Sequence, residues 1–336
     1  MPLVNRQITL ANRPVGMPKE TDFRLVEAPI PRPGAGEALV QALYLSLDTA
    51  TRVRMNGPSA NARPVEVGDV VTGEVVGRVL ESNDPRMERD DIVEGMLGWQ
   101  EYAVAPAKTL RKIDARTFPI TLSLNVLGVP GLTAYFGLLE ICHPSPGETV
   151  VISGASGAIG SLVGQIARIK RCRSVGITSS DEKVRLLTSE LGFDAGVNYR
   201  QTDDLHSKLK EVCPNGIDVY FDNVGGDTTD TVIRLINTHA RVGVCGQSSQ
   251  YNAEQPEMGP RWLRQLILRQ ARVEGFQLQQ FAPRFEEGLR QLSGWLRDNR
   301  LRYHEEIVEG LPQAPEAFVD LLRGRHAGKL MVKMEE

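Results

Sequence analysis

Thr149-Val150-Val151-Ile152-Ser153-Gly154-Ala155-Ser156-Gly157-Ala158-Ile159-Gly160 is the stretch that decides the fold. A short β-branched run leads into a glycine turn, and the turn opens a helix. Ile159, Leu162, Val163, Ile166 and Ile169 place that helix's apolar stripe at helical spacing. In a chain with 32 glycines, three of them at this spacing mean little alone. Between a strand and an amphipathic helix they predict a dinucleotide site. Backbone N–H groups at the helix start face a pyrophosphate, the helix dipole favours its charge, and the missing side chains allow close approach.

Working outward, strands are expected at residues 174–178, 195–198, 217–222, 241–245 and 271–277, with helical patterns between them. Together with residues 149–153 they predict a doubly wound, parallel, six-stranded sheet of the Rossmann type. Its second strand ends in Gly176-Ile177-Thr178-Ser179-Ser180-Asp181-Glu182-Lys183, and the strand tip is uncharged. Small hydroxyls leave room for a 2′-phosphate, and Lys183 could pair with it as a point charge. Asp181 lies about twenty residues beyond Gly160, where an NAD-selecting acid would be sought. Ser180 as an N-cap, with Asp181 and Glu182 favouring the helix dipole, accounts for that acid, so NADPH is the expected cofactor. The fourth and fifth strands end in Asp222-Asn223-Val224-Gly225-Gly226 and Cys245-Gly246-Gln247-Ser248, at the carboxyl edge where cofactor ribose and nicotinamide lie.

The first part of the chain differs in character. Short strands at residues 37–47, 70–80, 98–104 and 109–113, with Pro29, Pro31 and Pro33 marking turns, predict a small, mostly β, partly barrel-like domain. Strands at 302–308 and 329–333, with a helix at 315–323, are expected to rejoin it. The domain reading is residues 1–122 with 301–336, and 123–300. At 336 residues, two cores are the default. A composition 41% hydrophobic and 24% charged, with net charge -3, suits a globular protein without nucleic-acid or acidic-membrane partners. Arg261 to Arg272, interleaved with Leu and Gln, is expected to be a solvated helix face. With no secretory leader or membrane span in the pattern, and four separated cysteines (Cys142, Cys172, Cys213, Cys245) read as reduced, a cytoplasmic location is expected.

A zinc alcohol dehydrogenase would need thiolate and imidazole ligands. The glycine-rich run Gly68-Asp69-Val70-Val71-Thr72-Gly73-Glu74 contains no histidine, no cysteine precedes Cys142, and the five histidines stand alone. No metal site is expected.

These features together resemble the zinc-independent medium-chain dehydrogenase/reductases, within the leukotriene B4 12-hydroxydehydrogenase/prostaglandin reductase group that includes bacterial NADPH-dependent curcumin reductase-like enzymes. The resemblance runs almost end to end. It is carried by Asn5-Arg6-Gln7 with Arg13-Pro14, Leu45-Ser46-Leu47-Asp48 with Arg52, and Gly98-Trp99-Gln100-Glu101-Tyr102. It continues in Pro130-Gly131-Leu132-Thr133-Ala134-Tyr135, Leu191-Gly192-Phe193-Asp194 with Asn198-Tyr199, the Asp222 to Gly226 run and Ser249-Gln250-Tyr251-Asn252. It implies a GroES-like substrate domain beside the Rossmann domain, and an NADP-dependent oxidoreductase acting on CH-CH bonds, an alkenal/enone reductase. It also implies that Gly154, Ser156, Gly157, Ala158, Ile159 and Gly160 hold the pyrophosphate side. Thr178, Ser179, Lys183 and Tyr199 would take the 2′-phosphate ribose, and Asn223, Cys245, Gly246, Gln247 and Ser248 the nicotinamide side. Further cofactor contacts are implied for Pro130, Thr133, Phe276, Leu278 and His326. Tyr251 matches the tyrosine near the substrate carbonyl and is the expected donor or proton source, the alternative being a packed loop aromatic.

On the substrate side the chain departs from this pattern. Ala50 stands in place of a substrate-facing tyrosine, followed by Arg52, and Asn61 in place of a second pocket tyrosine. His326 replaces the asparagine usual before Gly328-Lys329, and Val129 a methionine beside the nicotinamide. A roomier pocket for a small-molecule α,β-unsaturated carbonyl is expected. An NADPH quinone reductase and an NADPH-binding sensor with little catalysis are the alternatives. Relatives suggest a homodimer, paired through the strand at 271–278.

Overall fold

The computed structural model describes residues 4–56 and 64–335. They form two compact units, Met1–Leu124 with Glu305–Glu336, and Asn125–His304.

In the second unit β1 (Thr149–Ser153), β2 (Arg173–Thr178), β3 (Ala195–Asn198), β4 (Ile217–Asp222), β5 (Ile236–Val244) and β6 (Arg272–Gly275) lie in the order β3-β2-β1-β4-β5-β6. Every pairing is parallel. The order reverses between β1 and β4, the crevice where open α/β sheets bind ligands. All of β1 is buried, and the helix Ala158–Ile169 lays Leu162, Val163 and Ile166 inward while Ile159 and Ile169, at its ends, are half-buried. The strand β5 starts five residues before the expected 241. Ile236 pairs with Ile217, the register then shifts, and His239 adopts φ of 65° before Arg241 meets Val219. That irregular, polar run, Asn237-Thr238-His239, hides the strand's first half from a period-2 reading.

In the first unit Val4–Leu10 pairs antiparallel with Phe23–Pro29. A seven-stranded sheet runs Glu305–Glu309, Lys329–Lys333, Glu37–Ser46, Glu74–Ser82, Ile92–Met96 and Arg111–Lys112, with Tyr102–Pro106 on Glu37–Ser46. The Val4–Leu10 hairpin and Ile92–Met96 are absent from the sequence expectation because Asn5-Arg6-Gln7 and Glu94 interrupt apolar alternation. The core centres on Trp99, stacked on Phe23 at 5.6 Å and meeting Phe318 edge-on at 5.5 Å. Lys329 is buried and reaches Asp48 Oδ1 at 2.5 Å and the Leu47 carbonyl at 3.3 Å. The same Asp48 carboxylate takes the Ser46 hydroxyl, fixing the turn that precedes the helix Ala50–Arg54.

At the carboxyl edge of the second unit's sheet, the fully buried Asp222 joins three strands. Its Oδ1 accepts from Ser153 Oγ (2.9 Å), Tyr220 Oη (2.9 Å), Val224 N–H (3.0 Å) and Gly225 N–H (2.9 Å). Oδ2 accepts from Thr229 Oγ1 at 2.6 Å, and the Asp222 carbonyl receives the N–H groups of Cys245 and Gly246. A buried carboxylate is tolerable only with such full satisfaction. Replacing it by Asp222→Ala strands five donors, so a loss of about 3–5 kcal/mol is expected in urea unfolding. A loss below about 1 kcal/mol, the worth of an ordinary hydrogen bond, would contradict this account.

Candidate functional site

The glycine turn after β1 builds an anion cradle. Gly154 adopts φ of 58°, a conformation costly for other residues. Gly157 precedes the helix Ala158–Ile169 in extended backbone, and no side chain caps the helix start. The first-turn N–H groups are thus the donors a pyrophosphate would use. A Cβ on Gly160 would stand 2.4 Å from the Gly154 carbonyl oxygen, so helix and turn can pack this closely only with glycine. Ser156 Oγ lies 2.8 Å from Thr178 Oγ1, tying the turn to the tip of β2.

Beyond that tip, Ser180 Oγ accepts the Lys183 N–H at 3.3 Å and caps the following helix Asp181–Arg185. Lys183 is buried, and Ser179 is half-buried. Tyr199 donates its N–H to the Thr178 carbonyl at 3.0 Å and is 40% exposed as a residue. The Arg200 guanidinium lies 5.8 Å from the centre of that ring. Arg200 escaped the sequence reading, and its only signal was adjacency to Tyr199. Asp181, the acid at the spacing where an NAD-selecting carboxylate would be sought, is bound by Asn198 Nδ2 at 2.9 Å. An uncharged tip with hydroxyls, two cations nearby and an engaged acid fits a 2′-phosphate.

The segments after β4 and β5 are laced together. Ser248 N–H donates to the Asn223 carbonyl at 3.3 Å, and Ser249 N–H to that of Val224 at 3.0 Å. Asn223 spends its side-chain amide on the Ser153 carbonyl at 2.7 Å. Tyr251 Oη accepts the Gln247 N–H at 3.3 Å, and a Cβ on Gly246 would stand 3.0 Å from that oxygen. Among the described residues nothing accepts the Tyr251 phenol proton, which remains available to donate. Burial raises the phenol's pKa, the Gln247 N–H bond opposes that rise, and Cys245 and Asp222 add smaller raising contributions. Burial also pushes the Cys245 thiol up to about 12.

Pro130 and Thr133 lie in the helix Val129–Phe136, where Thr133 is buried and Val129 is 40% exposed. Phe276 packs edge-on against Phe221 at 6.0 Å, in space left by Gly137, and Leu278 is half-buried at the start of the turn Leu278–Arg284. All these residues belong to the second unit. His326 belongs to the first, with Nδ1 2.5 Å from Glu306 Oε2. Ala50 is exposed there, whereas Arg52 is 2% exposed and donates to the carbonyls of Gly16 (2.8 Å) and Pro14 (3.4 Å) and to Asn56. Burial lowers its pKa, and its guanidinium shapes the loop rather than facing solvent. Asn61 lies outside the described residues. Among the described residues no group of three or more His, Cys, Asp or Glu side chains could hold a metal ion.

Residues 6–113 match the family described as "N-terminal domain of oxidoreductase", and residues 158–294 that described as "Zinc-binding dehydrogenase". The chain is 40% identical to the NADPH-dependent curcumin reductase of Escherichia coli (strain K12) over 98% of this chain and 97% of that protein. It is likewise 40% identical to the NADP(+)-dependent 2-alkenal reductase of Nicotiana tabacum over 98% and 97%. The crystal structure of CurA from Vibrio vulnificus in complex with NADPH superposes with a TM-score of 0.94 at 39% identity, covering 98% of this chain and 99% of that one. Fold, glycine turn and these similarities converge: the chain belongs to the zinc-independent medium-chain dehydrogenase/reductases, in the group of the curcumin, 2-alkenal and prostaglandin reductases.

Proposed function

We propose that this protein reduces the carbon-carbon double bond of α,β-unsaturated ketones and aldehydes with NADPH. The observation that carries the reading is Tyr251, a phenol whose proton is unclaimed and whose oxygen is held by the Gln247 N–H at the carboxyl end of β5. NADPH, when bound, would supply hydride to the substrate's β-carbon, and the enolate so formed takes a proton at its α-carbon to complete the reduction. The second unit would hold it through the Gly154 to Gly160 turn, Lys183 and Tyr199, and the segments after β4 and β5. The charge that develops on the substrate oxygen needs a donor already in place, because a preoriented hydrogen bond costs no reorganisation during reaction. Tyr251 supplies that donor, and its raised pKa keeps it protonated through the neutral range. The first unit is the substrate unit in this reading.

The cysteines support the same chemistry. Enones and enals alkylate thiolates, and the thiolate is the reactive form. Burial holds Cys142 and Cys245 up at about 12 and Cys172 and Cys213 at about 11. All four are free thiols kept neutral at pH 7.

We further propose a homodimer. The strand β6 is an edge of its sheet, and nearby Leu263, Ile267 and Leu268 are 70%, 75% and 56% exposed. The helix Leu263–Arg269 therefore turns apolar residues outward, not only the arginines the sequence suggested. An open edge beside apolar surface suits an isologous pairing. Among the described residues no helix is long and apolar enough to cross a membrane.

Three outcomes test these readings. Tyr251→Phe is expected to lower kcat on small enones by roughly 100-fold, the worth of a placed proton donor, with NADPH affinity intact; equal loss on quinones, which need no such donor, would count against Tyr251 in this role. Gel filtration at micromolar concentration should give twice the 37.0 kDa chain mass, with Ile267→Glu shifting it to monomer; monomeric wild type removes the dimer. Thiol titration at pH 7 should find no fast-reacting cysteine until the chain is unfolded, and rapid labelling of the native protein would refute the sheltered thiols.

A further inference from the structure

We infer that Asn198 sets the preference for NADPH over NADH by occupying Asp181. The inference rests on the NADPH reading above and extends it to residues with no assigned role. An acid near the end of the second strand normally accepts the ribose 2′-hydroxyl of NADH, and a free carboxylate there repels a 2′-phosphate. Asp181 has the position for this and is exposed, and the helix cap does not consume it, because Ser180 makes the capping bond to the Lys183 N–H.

What engages Asp181 is the amide at the end of β3, which takes one of its two oxygens and so holds the orientation of the carboxylate. Asn198 is 9% exposed, and Nδ2 donates to Asp181 Oδ1 at 2.9 Å. Its Oδ1 accepts the Arg200 N–H at 3.1 Å, and its carbonyl accepts the Gln201 N–H at 3.3 Å. With one end of the amide donating and the other accepting, its orientation is fixed by both partners. A single side chain thus does two things that favour a phosphate. It fills an acceptor site on the nearby carboxylate, and it pins the backbone of Arg200, whose guanidinium lies over Tyr199. Neither aspartate nor leucine could do both: aspartate has no donor for Asp181, and leucine has neither donor nor acceptor.

The test compares NADPH with NADH in the full-length protein, by kcat/KM on one enone and by Kd from nicotinamide fluorescence. Asn198→Ala releases the Asp181 carboxylate from β3, and the NADPH:NADH ratio is expected to fall about tenfold or more, mostly through KM and Kd for NADPH, as a carboxylate free to turn toward the 2′-phosphate would produce. Adding Asp181→Asn to Asn198→Ala should restore most of the preference. A purely structural role for Asn198 would weaken both cofactors alike and would not be rescued by the second change. An unchanged ratio in Asn198→Ala, or a fallen ratio that Asp181→Asn fails to restore, overturns the inference. If Asn198→Ala does not fold, Asp181→Asn alone carries the test: with the carboxylate already engaged by Asn198, the NADPH:NADH ratio is expected to change by less than about threefold, and a rise of about tenfold or more overturns the inference. Wild-type protein that binds neither cofactor would overturn the NADPH reading itself, whereas tight NADPH binding with an Asn198-independent ratio overturns only this step.

Discussion

A single buried carboxylate holds the working edge of the second unit together. Asp222 sits at the end of β4 with no exposure, and an ion there is expensive unless each lone pair has a partner. It finds partners on its own strand, on β1 and on the helix that follows, while its carbonyl collects two N–H groups from the end of β5. The positions of Asn223, Cys245 and Gly246 follow from that arrangement. Gly225, at φ of 76°, lets the chain turn sharply enough to return its N–H to the carboxylate. The glycines after β4 are thus as much a consequence of the buried charge as of any ligand.

The surroundings that hold Asp222 also tune the chemistry nearby. Burial acts in one direction on every acid that loses its proton to become an anion, raising its pKa. For Tyr251 this preserves a donor, and for Cys245 it suppresses a nucleophile. In the proposed reaction, one environment would therefore keep the Tyr251 proton in place and the Cys245 thiol neutral. Hydrogen bonds alone suffice to activate a conjugated acceptor, and the residues gathered here, a phenol and backbone amides, are suited to donating them.

Much of the second unit was legible in the sequence because its strands are short apolar runs bounded by glycine and its helices carry clear stripes. The limits of β1, β3 and β4 coincide with those the pattern suggests. The bulge at His239 concealed half of β5, and the polar Asn5-Arg6-Gln7 concealed a hairpin strand that is buried by tertiary contacts instead. The glycine turn was legible as a site because its requirements are backbone requirements. Arg52 was not, because a guanidinium that serves carbonyls 36 and 38 positions away in the chain leaves no periodic trace. Arg200 was equally silent, and Asn198 entered only as part of a family match: their meaning depends on a ring and a carboxylate brought alongside by the parallel pairing of β3 with β2.

The strand Lys329–Lys333 lies between Glu305–Glu309 and Glu37–Ser46, and Lys329 joins Asp48 across 281 positions of chain. Contacts of such separation form late, since long loops must close first. As the chain leaves the ribosome, the first unit therefore waits with an open sheet edge while residues 125–304 emerge with every strand of their own sheet in hand. The unit that comes first in sequence is the one completed last, and until then the Tyr44–Ser46 end of the strand Glu37–Ser46 lacks its partner Met331–Lys333, an open edge of the kind that invites non-native pairing.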